Sequence, residues 1–207
     1  MRYAPEMTRR TFAAAAVGGA AGLRLASAQD SQAANAGAGE DAPPPSPQEA
    51  AFERDYEPPA FRPSWSKAQI NRTMAGDFVI FAHSDLEKTL MLLDREPGLL
   101  NAAVDWGGGD WETALGGASH MGRKDIVELL LSRGARADLF CAAMLGQLPI
   151  VQGWIEQAPG LIDAAGPHGF TLHFHAQIGG PDAKPVLDYL QSIKQVDLKP
   201  LPPFLRK

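Results

Sequence analysis

Apolar positions recur with helical spacing along the middle of the chain. Ile126, Val127, Leu130 and Leu131 share one side of a helix, and Asp125, Glu128, Ser132 and Arg133 take the other. That alternation predicts an amphipathic helix with one buried stripe. Just upstream, Thr113-Ala114-Leu115 and Ala118-Ser119 predict a shorter inner helix, whose small side chains let neighbouring helices approach closely. Gly122 separates the two. Gly134 follows Leu129-Leu130-Leu131, where a helix ends in a left-handed residue that glycine adopts without steric cost.

The same helix pair returns along the chain. Ala142-Ala143, Gly146, Ile150-Val151 and Trp154-Ile155 stand at the internal offsets of Ala118-Ser119, Gly122, Ile126-Val127 and Leu129-Leu130. A further unit carries Gly169, Thr171, Leu172-His173, Ala176 and Gly179, and Gly146 to Gly179 is 33 residues. Upstream, Phe81-Ala82, Asp85-Leu86-Glu87, Leu90 through Leu93 and Pro97 to Asn101 read as an N-terminal unit. Such self-similarity marks stacked units, each of which buries its apolar face only against its neighbours.

Thr113, Leu115, Ala118, Gly122, Gly134, Ala142, Ala143, Gly146, Leu172, His173 and Gly179 together resemble the ankyrin repeat family. The resemblance implies an all-α ankyrin-repeat solenoid of three to four helix-turn-helix units over residues 65–191, which binds another protein through finger loops and inner helices. It implies no chemistry of its own, no cofactor and no metal. The chain also departs from the family. Gly122 to Gly146 is only 24 residues, so the β-hairpin finger between those units is expected to be missing or cut to a tight turn. The family's Thr-Pro-Leu-His proline is absent. Its histidine, which bonds backbone across units in the family, survives only as His173, with Gly116 and Phe140 at the matching sites. Ser64 is expected to cap a short helix over residues 65–70.

The ends of the chain read differently. Arg9-Arg10-Thr11-Phe12, an Ala/Gly-rich stretch and Ala26-Ser27-Ala28 predict a twin-arginine export signal over residues 1–28, and hence a periplasmic or other extracytoplasmic location. The apolar run is too short for a membrane span, which needs about 20 residues. Residues 29–64, rich in Ala, Gly and Pro, predict a disordered linker, and residues 192–207 a tail that either stays loose or folds back as a cap. Residues 1–28 carry four arginines and one glutamate, so removing them takes the net charge from −5 to near −8. An acidic chain without a basic cluster argues against nucleic acid and anionic lipid as partners. Cys141 is the only cysteine. It excludes an internal disulfide and is expected to be buried beside Ala142-Ala143.

Candidate contacts gather where fingers belong. Trp106, Asp110 and Trp111 flank Gly107-Gly108-Gly109, and His168 and Phe170 stand at the corresponding place before the last unit. Tryptophan is enriched at interface hot spots, so these five residues are the expected partner surface; the alternative is that the rings fold down to cover the stack. The triple glycine lacks the Lys-Ser or Lys-Thr of a phosphate cradle. His168, His173 and His175 are the one local histidine cluster. A two-residue offset on a helix sets His173 and His175 about 200° apart, which does not suit a shared ion. His83 and His120 are expected to be surface or inter-unit groups. The sequence favours a monomeric binding scaffold of the envelope, with a purely structural protein, or a small metal protein or enzyme, as the alternatives.

Overall fold

The computed structural model describes residues 49–61 and 66–205. The predicted export signal and most of the linker lie outside these residues. Residues 49–61 are exposed and carry no regular structure.

The described chain is mostly helical. Eight α-helices follow in four consecutive pairs: α1 (Arg72–Ala82) with α2 (Leu86–Arg95), α3 (Ala114–His120) with α4 (Lys124–Ser132), α5 (Leu139–Met144) with α6 (Leu148–Gln157), and α7 (Leu172–Ile178) with α8 (Lys184–Ile193). The two helices of each pair pack on each other, and the first helix of each pair packs on the first helix of the next. No helix among the described residues is long and apolar enough to cross a membrane.

Short polar side chains start the first helix of every pair. Asn71 caps α1 through Thr73 N (2.9 Å), Thr113 caps α3 through Gly116 N (3.1 Å), Asp138 caps α5 through Cys141 N (2.8 Å) and Thr171 caps α7 through Phe174 N (3.3 Å). Each supplies an acceptor to an amide that has no partner within its helix. The short helix expected after Ser64 is not formed over residues 66–70; the cap falls at Asn71, whose short side chain accepts from Thr73 N and Met74 N.

Burial follows the apolar spacing of the sequence. Ile126, Val127 and Leu130 are inaccessible, and Asp125, Glu128, Ser132 and Arg133 are exposed. Two apolar clusters meet at α5. One joins Phe78, Leu93, Leu99, Leu115, Ile126, Leu130 and Met144, and the other joins Leu139, Ala142, Val151, Leu172, Val186 and Leu190. Burying each large aliphatic side chain contributes about 1.5–3 kcal/mol, so these seams hold the pairs together without a disulfide. Cys141 is buried, and burial pushes its thiol up to about 11. Gly134 is left-handed (φ 90°) after α4, as the pattern requires. At Gly179 the reason for glycine is space, since a Cβ there would meet Met144 O at 2.1 Å.

Two fingers leave the helical layer. The first is an antiparallel hairpin of β1 (Ala103–Asp105) and β2 (Trp111–Thr113), in register Ala103↔Thr113, Val104↔Glu112 and Asp105↔Trp111. The second is a tight loop closed by a single bridge between Ala165 and Thr171, with a 3-10 turn at Pro167–Gly169. Residues 133–138, between α4 and α5, hold no strand, as the 24-residue spacing predicted. The tail folds back: Gln191 bonds both backbone groups of Val196, Gln177 donates to Lys199 O, and Leu205 is buried.

Candidate metal centre

The missing finger shapes the one concentration of chemistry in the described chain. With nothing rising from residues 133–138, the tip of the second finger reaches the first. His168 N donates to Asp110 Oδ1 (2.8 Å) and His168 Nδ1 to Asp110 Oδ2 (2.7 Å). This clamp holds His168 at φ 57° and ψ 19°, a left-handed conformation unusual for a residue with a Cβ and costing on the order of 1 kcal/mol. Two hydrogen bonds to a carboxylate offset that cost.

Three further residues arrive from separate elements. His83 follows α1, and its Nδ1 donates to Val79 O (2.8 Å) one turn back. Its ring lies on α3 at Gly117, where a Cβ would come within 2.7 Å of His83 Cε1. His120 ends α3 and is buried. Glu112 sits in β2, whose alternation sends Trp111 outward and Glu112 inward, leaving its side chain inaccessible.

These four side chains converge. His83 Nε2 lies 3.2 Å from Glu112 Oε2, His168 Nε2 lies 3.5 Å from the same oxygen, and His120 Nδ1 lies 3.0 Å from Glu112 Oε1. Trp106 Nε1 donates to Glu112 Oε2 (2.7 Å). His120 Nδ1 and Glu112 Oε1 stand close enough for the carboxylate to act on the ring, but they are poorly aligned for a hydrogen bond, and neither buried atom has another partner in the protein. Leaving such atoms unmatched costs about 1–3 kcal/mol each.

The electrostatics divide the three imidazoles. Burial disfavours the Glu112 carboxylate's charge, yet the surrounding imidazoles outweigh burial and hold it well below the usual range. Burial also pulls His83 down, but Glu112 overcomes it and His83 is raised. The hydrogen-bonding pull of Glu112 raises His168. At His120 burial wins over the carboxylate, and the ring is held low. The cluster therefore keeps its carboxylate charged, with at least one neutral imidazole beside it.

One ligating atom from each of His83, Glu112, His120 and His168 lies within 4.8 Å of all the others. Metal–nitrogen and metal–oxygen bonds of about 2.0–2.2 Å place neighbouring donors roughly 3.0–3.5 Å apart; the three measured separations fall in that range, two of them to Glu112 Oε2 and one to Oε1, a range that direct ion pairs share. Two of the histidines are oriented as metal ligands usually are. Because His83 Nδ1 donates to a carbonyl and His168 Nδ1 to a carboxylate, each in its neutral form turns a free Nε2 lone pair toward the cluster. Three nitrogens and one oxygen without sulfur suit zinc, iron, manganese or cobalt.

The expected contact residues divide. Trp106, Asp110, His168 and Phe170 belong to this cluster, Phe170 standing 5.2 Å from His120 and 6.0 Å from His168 between ring centroids. Trp111 does not join it and is 62% exposed. The local set His168, His173 and His175 does not assemble. His173 bonds Lys194 O (2.9 Å), at the end of its own helix pair rather than across units, because α8 ends over that ring; His175 bonds Thr171 O (2.9 Å). His83 and His120 are inter-unit groups, and His120 is not at the surface. A cleft of about 350 Å³ opens on the far side of Asp110, beside Trp111, Asp138 and Phe140, and the four donors do not line it. Glu112 is the residue that sequence reading passed over; the available signal was an acid at the inward position of a short strand. Among known proteins the chain matches no family model and no curated protein.

Proposed function

We propose that this protein binds one first-row divalent metal ion through His83, Glu112, His120 and His168, on a stack of ankyrin-like helix pairs. The observation that carries the reading is the pairing of His120 Nδ1 with Glu112 Oε1: two buried atoms 3.0 Å apart, poorly aligned for a hydrogen bond and without another partner in the protein. An ion between them supplies the missing partner to both. The competing arrangement is an ion-free lock of imidazolium against carboxylate, in which protons replace the metal.

Metal analysis of the purified chain, with calorimetric titration of Zn(II), Mn(II), Fe(II) and Co(II), separates the two. Near one equivalent is expected, with Glu112→Gln weakening binding at least about 100-fold and His173→Gln leaving it unchanged, since losing a ligand costs more than the 10–100-fold of an outer partner. Sub-stoichiometric metal that is indifferent to Glu112→Gln overturns the reading in favour of the proton lock.

A second reading rests on Trp111. Its exposure on the first finger supports a contact with a protein partner, the role that the ankyrin resemblance implies. The two readings are compatible, because Trp111 lies outside the donor set. The twin-arginine motif at Arg9-Arg10 fits a metal protein as well: that route carries folded proteins, and donors drawn from four separate elements come together only in a folded chain.

A further inference from the structure

The four donors are unequally enclosed. The side chains of Glu112 and His120 are 0% and 5% exposed, whereas those of His83 and His168 keep 21% and 27%. The cluster therefore has a solvent edge on the side of His83 and His168. The cover at that edge is Trp106, whose ring stands edge-on to His83 at 6.2 Å and tilted against His168 at 5.9 Å.

Trp106 leads directly into Gly107-Gly108-Gly109. All three glycines have positive φ, and a Cβ at any of them would meet nothing within 4 Å. The outer side of this turn is open, its backbone being held by Gly107 N and Gly109 N donating to Asp105 Oδ1, and the indole rests on the histidine rings and on one hydrogen bond to Glu112.

Charge balance points the same way. Only one carboxylate, Glu112, is among the donors, and Asp110 bonds the backbone and ring of His168. A divalent ion with three neutral imidazoles and Glu112 keeps one positive charge among its direct ligands, with the Asp110 carboxylate one step further out. Zinc sites with three protein ligands hold a fourth position for water or substrate, and metals that prefer octahedral geometry, such as manganese, leave positions beyond four protein ligands. Resting on the metal-binding reading above, we propose that the bound ion keeps an exchangeable coordination position beneath Trp106, and that this position takes a small anion.

The probe is azide, added to the full chain loaded with Co(II) and followed by visible absorption. Azide is expected to change the cobalt bands saturably, and Trp106→Ala, which removes the cover, to strengthen the response several-fold per bound cobalt. Cobalt bound near one equivalent with a spectrum indifferent to azide in both proteins overturns this inference and leaves the metal-binding reading standing. An azide response that Trp106→Ala leaves unaltered also overturns it, because the open position is then not under the indole. Failure of cobalt to bind removes both.

Discussion

His120 and His175 are both interior imidazoles on inner helices, and burial disfavours the charged form of both. Their neighbourhoods differ. His175 packs against Phe140 and Phe174, with ring centroids at 5.1 and 5.9 Å, and Nδ1 donates to Thr171 O. No carboxylate bonds it. His120 stands 3.0 Å from Glu112, which also draws in His83 and His168. Burial alone thus makes an imidazole a neutral core residue. One inward carboxylate, reached by rings from three elements, turns the other imidazole into part of a donor set.

The comparison is tested hardest at Asp110, which orients a donor without being one. Asp110→Ala frees both His168 N and Nδ1, and the strained φ of His168 loses its restraint. Metal affinity is expected to fall roughly 10–100-fold, the usual cost of an outer partner, with Asp110→Asn at the low end because its amide oxygen still accepts one bond. Competition against a chromogenic chelator measures this. Unaltered affinity in both variants would mean that His168 does not ligate.

Gly117→Ala has a smaller expected effect. Its methyl would meet the His83 ring at 2.7–3.2 Å, so the ring must leave Val79 O or the helix must shift. Affinity is expected to drop about tenfold, while the gain in helix propensity of about 1 kcal/mol offsets part of the strain and keeps Tm close to wild type. Gly116→Ala is the control, since its methyl would be in ordinary contact with Pro167, Thr113 and Glu112 at 3.4–3.6 Å. Equal losses in the two variants would contradict the placement of His83.

Much of the helical framework was legible because its signals are local. The stripe Ile126, Val127 and Leu130, the stop at Gly134 and the absent finger between Gly122 and Gly146 each follow from neighbouring residues or from one spacing. The donor set was not legible, because its members stand at positions 83, 112, 120 and 168 on separate elements and no short spacing links them. The one local histidine cluster in the sequence does not assemble, as its helical offset implied: His173 and His175 share a helix but face different neighbours, and only His168, on the finger, reaches another helix pair. Trp106, Asp110, His168 and Phe170 were found together because residues of the two fingers converge on one face. Glu112, the carboxylate behind them, was not among the residues picked out.

The weakest expected effect sharpens the His175 side of the comparison. Burial lowers its pKa from 6.5 to about 4, so between those values the unfolded chain binds a proton that the folded chain does not. Its contribution to stability is therefore fully present above about pH 6.5 and is lost as pH falls toward 4. His83 and His168 are raised and carry the opposite sign, their stabilisation being present in acid and lost as pH rises, while His120 is lowered and acts with His175. The informative quantity is thus the difference between wild type and His175→Leu, measured by urea unfolding in chelator so that loss of an ion does not enter. Leucine matches the Phe140–Phe174 surroundings and removes a buried Nε2 that has no partner. Thr171 O keeps the backbone bond from residue 175. Between pH 7.5 and 5.5 wild type is expected to lose about 1 kcal/mol more than the variant. Parallel stability curves over that range would show that His175 is not held neutral by burial, and the contrast with His120 would then rest on Glu112 alone.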